Sequence, residues 1–194
     1  MRRVRIFVSA LLLLCSPTLR AQSTDDRDLA GLTKSMESAP ADQRLAFNAL
    51  LVAFTTFRDA HLRHETCHTA ESCIERRASE RTRYDHDFLL MAHGFSPGPA
   101  PTFTSDDLVA ADGTLNSYFE KVSAILPATC SGSDCLSQSS FREVQRDWIR
   151  YRDALVTFGM LRWPQISAET WRTYLTQQRS GQLLADFHAI LCCS

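Results

Sequence analysis

Glycine and proline are scarce, seven of each in 194 residues, and runs of β-branched residues are few. Turn-rich sheet proteins draw on all three, so their scarcity points to helices. A run long enough to span a bilayer is also missing. The apolar stretch from Ile6 to Leu14 falls short of the ~20 residues a membrane helix needs. There is no basic tract, which argues against nucleic acid as a partner. No Gly-rich phosphate loop, Gly-x-Ser-x-Gly or His-Glu-x-x-His is present, so no catalytic residue is assigned. No Cys-x-x-Cys occurs either, which weakens a metal reading of the cysteines. No cofactor is expected.

What the chain does have begins at its start. Arg2, Arg3 and Arg5 precede the apolar run, and Leu19-Arg20-Ala21 ends it on a small residue. This is the layout of a cleaved export signal over residues 1–21, and it implies a periplasmic or secreted protein. A lipoprotein cut before Cys15 is the lesser reading, because that cut needs a small preceding residue and Leu14 is large. Loss of the four arginines of this segment lowers Lys+Arg from 21 to 17 against 22 Asp+Glu, about −5 in all. A mildly acidic protein suits a basic partner.

Six cysteines remain after the signal: Cys67, Cys73, Cys130, Cys135, Cys192 and Cys193. An even number in an exported chain points to disulfides. The pairs close in sequence, Cys67 with Cys73 and Cys130 with Cys135, are the expected bridges, out of 15 possible pairings of six cysteines. Cys192 and Cys193 pair with each other, pair between chains, or stay free.

Helical periodicity predicts six segments, over residues 25–38, 40–65, 70–92, 105–126, 138–162 and 167–190. Pro40 suits a first turn, Ser140 with Glu143 suits a capping box, and Ser167 suits an N-cap. A Pro/Gly linker over 94–104 breaks the pattern and divides the chain into related halves, 22–93 and 105–194. Under a shift of 94, Phe47, Leu50, Phe54 and Phe57 fall on Phe141, Val144, Trp148 and Tyr151, and Arg58-Asp59-Ala60 falls on Arg152-Asp153-Ala154. Leu29, Leu32 and Met36 fall on Leu115, Tyr118 and Val122 under a shift of 86. The second half therefore carries an insertion of eight residues between its first two helices, and Cys130–Cys135 lies in it. The third helices align poorly. The expected fold is all-α: two related three-helix units packed together and stapled by disulfides.

The second half reads Leu115-Asn116-Ser117-Tyr118 and then Gln145-Arg146-Asp147-Trp148-Ile149-Arg150-Tyr151-Arg152-Asp153, with Arg179 and Leu183 in its last helix. These motifs, in this order, resemble the LprI-like family, an exported helical module named for a lysozyme inhibitor. The resemblance covers about residues 105–187, and the first half looks like a worn copy in which Phe54 stands for the tryptophan. Family members often carry a cysteine soon after the Arg-Asp pair, where this chain has His61-Leu62 and Leu155-Val156. The family's disulfide scheme is therefore not carried over. The resemblance implies an exported protein that binds a lysozyme-like glycoside hydrolase.

Each motif also has a plainer use. Trp148 and Tyr151, with Phe54 and Phe57 in the first half, are expected in a core. Arg58-Asp59 and Arg152-Asp153 are expected in structural bonds to other helices, since neighbours on a helix do not face each other. Asn116 is expected to join such an internal network, with Tyr118 in the same helical motif. His61, His64 and His68 share a helical face beside Glu65 and Cys67; a solvated face is preferred to a zinc or copper site. Asp85-His86-Asp87 reads as surface charge. Ser131, Ser133 and Asp134, between Cys130 and Cys135, read either as a stapled connection or as a preorganised polar plug for a sugar-binding cleft. The expected function is binding without chemistry. The partner is a lysozyme-like hydrolase or, alternatively, another envelope protein served by an adaptor or assembly factor.

Overall fold

The computed structural model describes residues 29–63, 70–95, 99–129 and 136–192, with backbone alone at 70–75 and 189–192. The side chains of Cys67, Cys73, Cys130, Cys135, Cys192 and Cys193 lie outside the described residues. So do His64, Glu65, His68, Ser131, Ser133, Asp134 and the expected signal. Among the described residues there are six helices and no strand. They are α1 over 29–36, α2 Ala41–Arg63, α3 Ala70–Ala92, α4 Ser105–Ile125, α5 Gln138–Arg162 and α6 Ala168–Cys192. None is long and apolar enough to cross a membrane.

The caps explain where the helices begin. Thr104 and Asp107 form a capping box on α4, with Asp107 Oδ2 accepting from the Thr104 amide at 2.8 Å. Those bonds hold the Asp107 carboxyl below its ordinary pKa. Ser167 Oγ accepts from the Thr170 amide at 3.1 Å, the expected cap of α6. The cap of α5 differs from expectation. Ser137, not Ser140, is the N-cap: its Oγ accepts from the Ser140 amide at 3.2 Å, and Ser140 Oγ accepts from the Ser137 amide at 3.0 Å. Ser137 has the extended backbone a cap needs, and a serine three residues on does the work usually given to glutamate. Pro40 stands just before α2, where its carbonyl accepts from the Arg44 amide at 3.0 Å.

α3 ends on a left-handed Gly94, with φ +66°. Phe95 donates to the Leu90 carbonyl and Gly94 to that of Met91, at 3.2 and 2.9 Å, which closes the helix as a Schellman motif. A Cβ on Gly94 would lie 2.7 Å from the Trp163 indole, so glycine is needed twice over. Phe95 is also left-handed, with φ +65°, a conformation unfavourable for a bulky residue. Its ring stacks on Trp171 at 4.8 Å and meets Tyr174 edge-on at 4.9 Å. That packing holds the strained backbone in place.

Two helix pairs dominate the packing. α2 and α5 run antiparallel, so Phe47 meets Phe158 while Phe54 and Phe57 meet Tyr151. α4 and α6 run in the same direction: the Phe103 amide donates to Thr170 Oγ1, and Thr176 bonds Asp112 further along. Small residues face each other across this pair, Ala111 on α4 and Thr173, Thr176 and Ser180 on α6, all buried. Their size lets the two backbones approach closely. α5 and α6 are antiparallel, and Gly159 passes beneath Trp171. α3 lies against α2, where Phe88 stacks on Phe54 at 4.3 Å and Tyr84 meets Phe57 edge-on. One continuous core results, into which Leu32 and Met36 of α1 also pack.

Candidate functional site

The centre of the α2–α5 pair gathers Phe54, Phe57, Trp148 and Tyr151, all buried as their helical spacing implies. Beside them the two Arg-Asp elements take the same local form. Arg58 lies over Phe54 at 5.4 Å and Arg152 over Trp148 at 5.2 Å. Each guanidinium also meets the next residue's carboxylate, Arg58 Nε to Asp59 Oδ1 and Arg152 Nε to Asp153 Oδ1, both at 3.1 Å. This corrects the expectation that helical neighbours do not meet, because a long arginine side chain bends back along its own helix far enough to reach the adjacent carboxylate.

Beyond that shared contact the two arginines diverge. Arg58 Nη1 reaches Asp85 on α3 at 2.6 Å. Burial acts to lower its pKa, but the bonds to Asp85 and Asp59 hold it above the ordinary value. The position 94 residues after Asp85 is Arg179, a charge of the opposite sign. Arg152 cannot pair with it and turns instead to Asp112 on α4, at 3.9 Å.

Arg179 is among the largest fully buried side chains. Its Nε donates to Gln145 Oε1 at 3.2 Å and its Nη1 to Gln182 Oε1 at 3.0 Å. Its guanidinium lies over Phe57 at 5.3 Å. Burial pushes its pKa below the ordinary arginine value. Around it, Tyr84 and Tyr151 are pushed up by burial, and so are the carboxyls of Asp87 and Asp186, the latter against the pull of Arg179. A cavity of about 20 Å³ sits here, lined by side chains of α2, α3, α5 and α6. That is room for about one water-sized sphere.

The insertion between α4 and α5 has a closed base. The Gln138 amide donates to the Pro127 carbonyl at 3.0 Å, and Gln138 Nε2 donates to the Leu126 carbonyl at 3.1 Å. Leu126 and Ser137 are buried. Elsewhere, a shallow groove of about 530 Å³ runs over Ala49, Val52, Ala53, Thr56 and the Asp147–Arg150 ion pair. Val52 and the nearby Leu45 of α2 are 67% and 71% exposed.

Several expected residues fall elsewhere. Asn116 is exposed on α4 and joins no internal network among the described residues; it lies one residue from Leu115, which takes the buried face. Tyr118 is half-buried with Lys121 over its ring at 5.2 Å. His61 packs against the rings of Phe57 and Tyr84, so the face it was to share is partly an aromatic contact. Asp85, His86 and Asp87 point three ways, to Arg58, to solvent and to the cavity. Among the described residues no three His, Cys, Asp or Glu side chains gather as a metal site. The arginine at the centre escaped sequence reasoning as a site residue. Its signal was the reversal from Asp85 to Arg179 in the repeat register, together with a glutamine, Gln145, three residues before Trp148 on an inward face. No known family model, curated protein or solved structure matches the chain.

Proposed function

We propose that this chain is an exported binding protein that neutralises a lysozyme-like, peptidoglycan-cleaving hydrolase by occluding its sugar-binding cleft. The chain itself supplies no chemistry. The observation that carries this reading is the fastened base of the α4–α5 insertion. Gln138 ties both Leu126 and Pro127 to the start of α5, so the described residues that flank 130–135 are fastened to one another. A segment held at its base loses less entropy on docking. Ser131, Ser133 and Asp134 supply hydroxyls and a carboxylate suited to a cleft that holds polar sugar. The resemblance of residues 105–187 to the LprI-like module supports the same reading. So does the matched geometry of Arg58 and Arg152, which suits two copies of one three-helix unit. In this reading Cys67–Cys73 and Cys130–Cys135 staple the two units and the protein works in the periplasm or outside the cell.

The test is lysis of peptidoglycan by c-, g- and i-type lysozymes with and without the oxidised chain. Protection at near-stoichiometric amounts is expected, and the triple variant Ser131→Ala, Ser133→Ala, Asp134→Ala should lose it while keeping its helical circular dichroism. Full protection by the variant would remove the insertion from the mechanism. A second reading, an envelope adaptor or assembly factor, is favoured by the exposed apolar stripe of Leu45, Ala49 and Val52 on α2. No protection against any lysozyme, with capture of a non-hydrolase envelope protein that Val52→Asp abolishes, would favour it.

A further inference from the structure

Arg179 presents an unusual balance of charge. It is 1% exposed, yet among the described residues no carboxylate forms an ion pair with it; Asp186 attracts its charge from further off. Its two hydrogen bonds go to the neutral amide oxygens of Gln145 and Gln182. These satisfy N–H groups without neutralising the cation, and the face of Phe57 does so only in part. A buried, unpaired charge is costly. Its third nitrogen, Nη2, and the hydroxyl of Tyr84, itself 3% exposed, lie close enough to interact, but neither completes a well-aligned hydrogen bond. Both residues line the same cavity. Unpaired buried polar atoms of this kind mark a missing partner.

We propose that this cavity is a binding site for one halide-sized anion, chloride in ordinary media, held by Arg179 Nη2 and Tyr84 Oη above the aromatic floor of Phe54, Phe57 and Tyr151. The two unpartnered groups present N–H and O–H, so the guest is an acceptor. A water molecule would satisfy the hydrogen bonds and leave Asp186 as the balancing charge; that carboxyl is itself buried and pushed toward its neutral form, whereas an anion at the two donors supplies the balance directly. The cavity volume excludes an organic carboxylate or a phosphate. Asp87 also lines the space and sets the limit on affinity, because its carboxylate opposes an anion. Burial already disfavours that charge, which lessens the opposition. Gln178 and Gln182 complete the rim. The site is separate from the α4–α5 insertion and does not depend on hydrolase binding.

The experiment is thermal unfolding of the full exported chain at fixed ionic strength and pH 7, with sodium gluconate replaced stepwise by sodium chloride or bromide. A saturable rise in Tm with either halide is expected. Tyr84→Phe keeps the ring but removes a donor to the ion, and should weaken the apparent halide affinity about tenfold or more. Asp87→Asn removes the opposing charge and should move the affinity the other way. A crystal grown in bromide should show an anomalous peak within hydrogen-bond distance of Arg179 Nη2. Equal Tm in gluconate and halide, with no anomalous peak in the cavity, would overturn the proposal in favour of a bound water. A halide effect unchanged in both variants would overturn it too, by placing the ion elsewhere.

Discussion

Gly159 and Gly181 are both helical glycines, yet alanine should act on them with opposite sign. At Gly181, in the exposed part of α6, an added Cβ meets nothing within 4 Å. Alanine there recovers the helix propensity that glycine lacks, about 0.8–1 kcal/mol. At Gly159 of α5 the same Cβ would stand 2.6 Å from Cε2, 2.7 Å from Nε1 and 2.9 Å from Cζ2 of Trp171. That indole is rigid and fully buried, and Phe95 stacks on it, so it cannot swing aside as a flexible side chain would. Overpacking of this kind costs about 1–3 kcal/mol. Against the same propensity gain, the net loss for Gly159→Ala is up to ~2 kcal/mol. The two variants should therefore differ by about 1–3 kcal/mol, or by roughly 2–12 °C in Tm for a chain of this size. Urea unfolding followed by circular dichroism, with thermal scans alongside, reads both. If Gly159→Ala were as stabilising as Gly181→Ala, Trp171 would not be seated on Gly159, and the account of the α5–α6 contact would fail.

Burial raises the phenols of Tyr84 and Tyr151, while the same groups in the unfolded chain titrate near the ordinary value of about 10. The folded state thus keeps protons that the unfolded state loses. Stability is fully present below about pH 10 and falls as pH rises above it, by up to ~1.4 kcal/mol per unit for each tyrosine. Urea midpoints between pH 9 and 11 should show this slope, and Tyr151→Phe should lessen it; a flat profile would mean that neither phenol is buried. The Arg58–Asp85 pair has both side chains largely buried, so a double-mutant cycle with Arg58→Met and Asp85→Ala should give a coupling of about 1–3 kcal/mol. The Arg150–Asp147 pair, whose arginine is 71% exposed, should give no more than ~0.5 kcal/mol. Equal couplings would show that burial does not decide between them.

Much of the fold was legible because helices are local. The periodicity of Phe47, Leu50, Phe54 and Phe57, and of their counterparts in α5, marks a buried stripe without any knowledge of what covers it, and α3 and α5 begin and end where the pattern places them. At the positions that a shift of 94 residues brings together, Arg58 and Arg152 each lie over an aromatic ring of their own helix. The α5 cap was misassigned because Ser137 and Ser140 satisfy the same local rule, and only the backbone at Ser137 distinguishes them. Asn116 was misplaced because a helical motif does not say which of its polar residues turns inward.

By itself, then, the sequence determined the helical class and the inward faces, since each depends on residues a few positions apart. Only the tertiary structure decided that α2 lies antiparallel on α5 while α6 runs alongside α4, because those pairings rest on surface fit between distant segments. It alone buried Arg179 among neutral partners. That environment is assembled from Phe57, Tyr84, Gln145 and Gln182 on four helices, and no local pattern in the chain specifies their meeting.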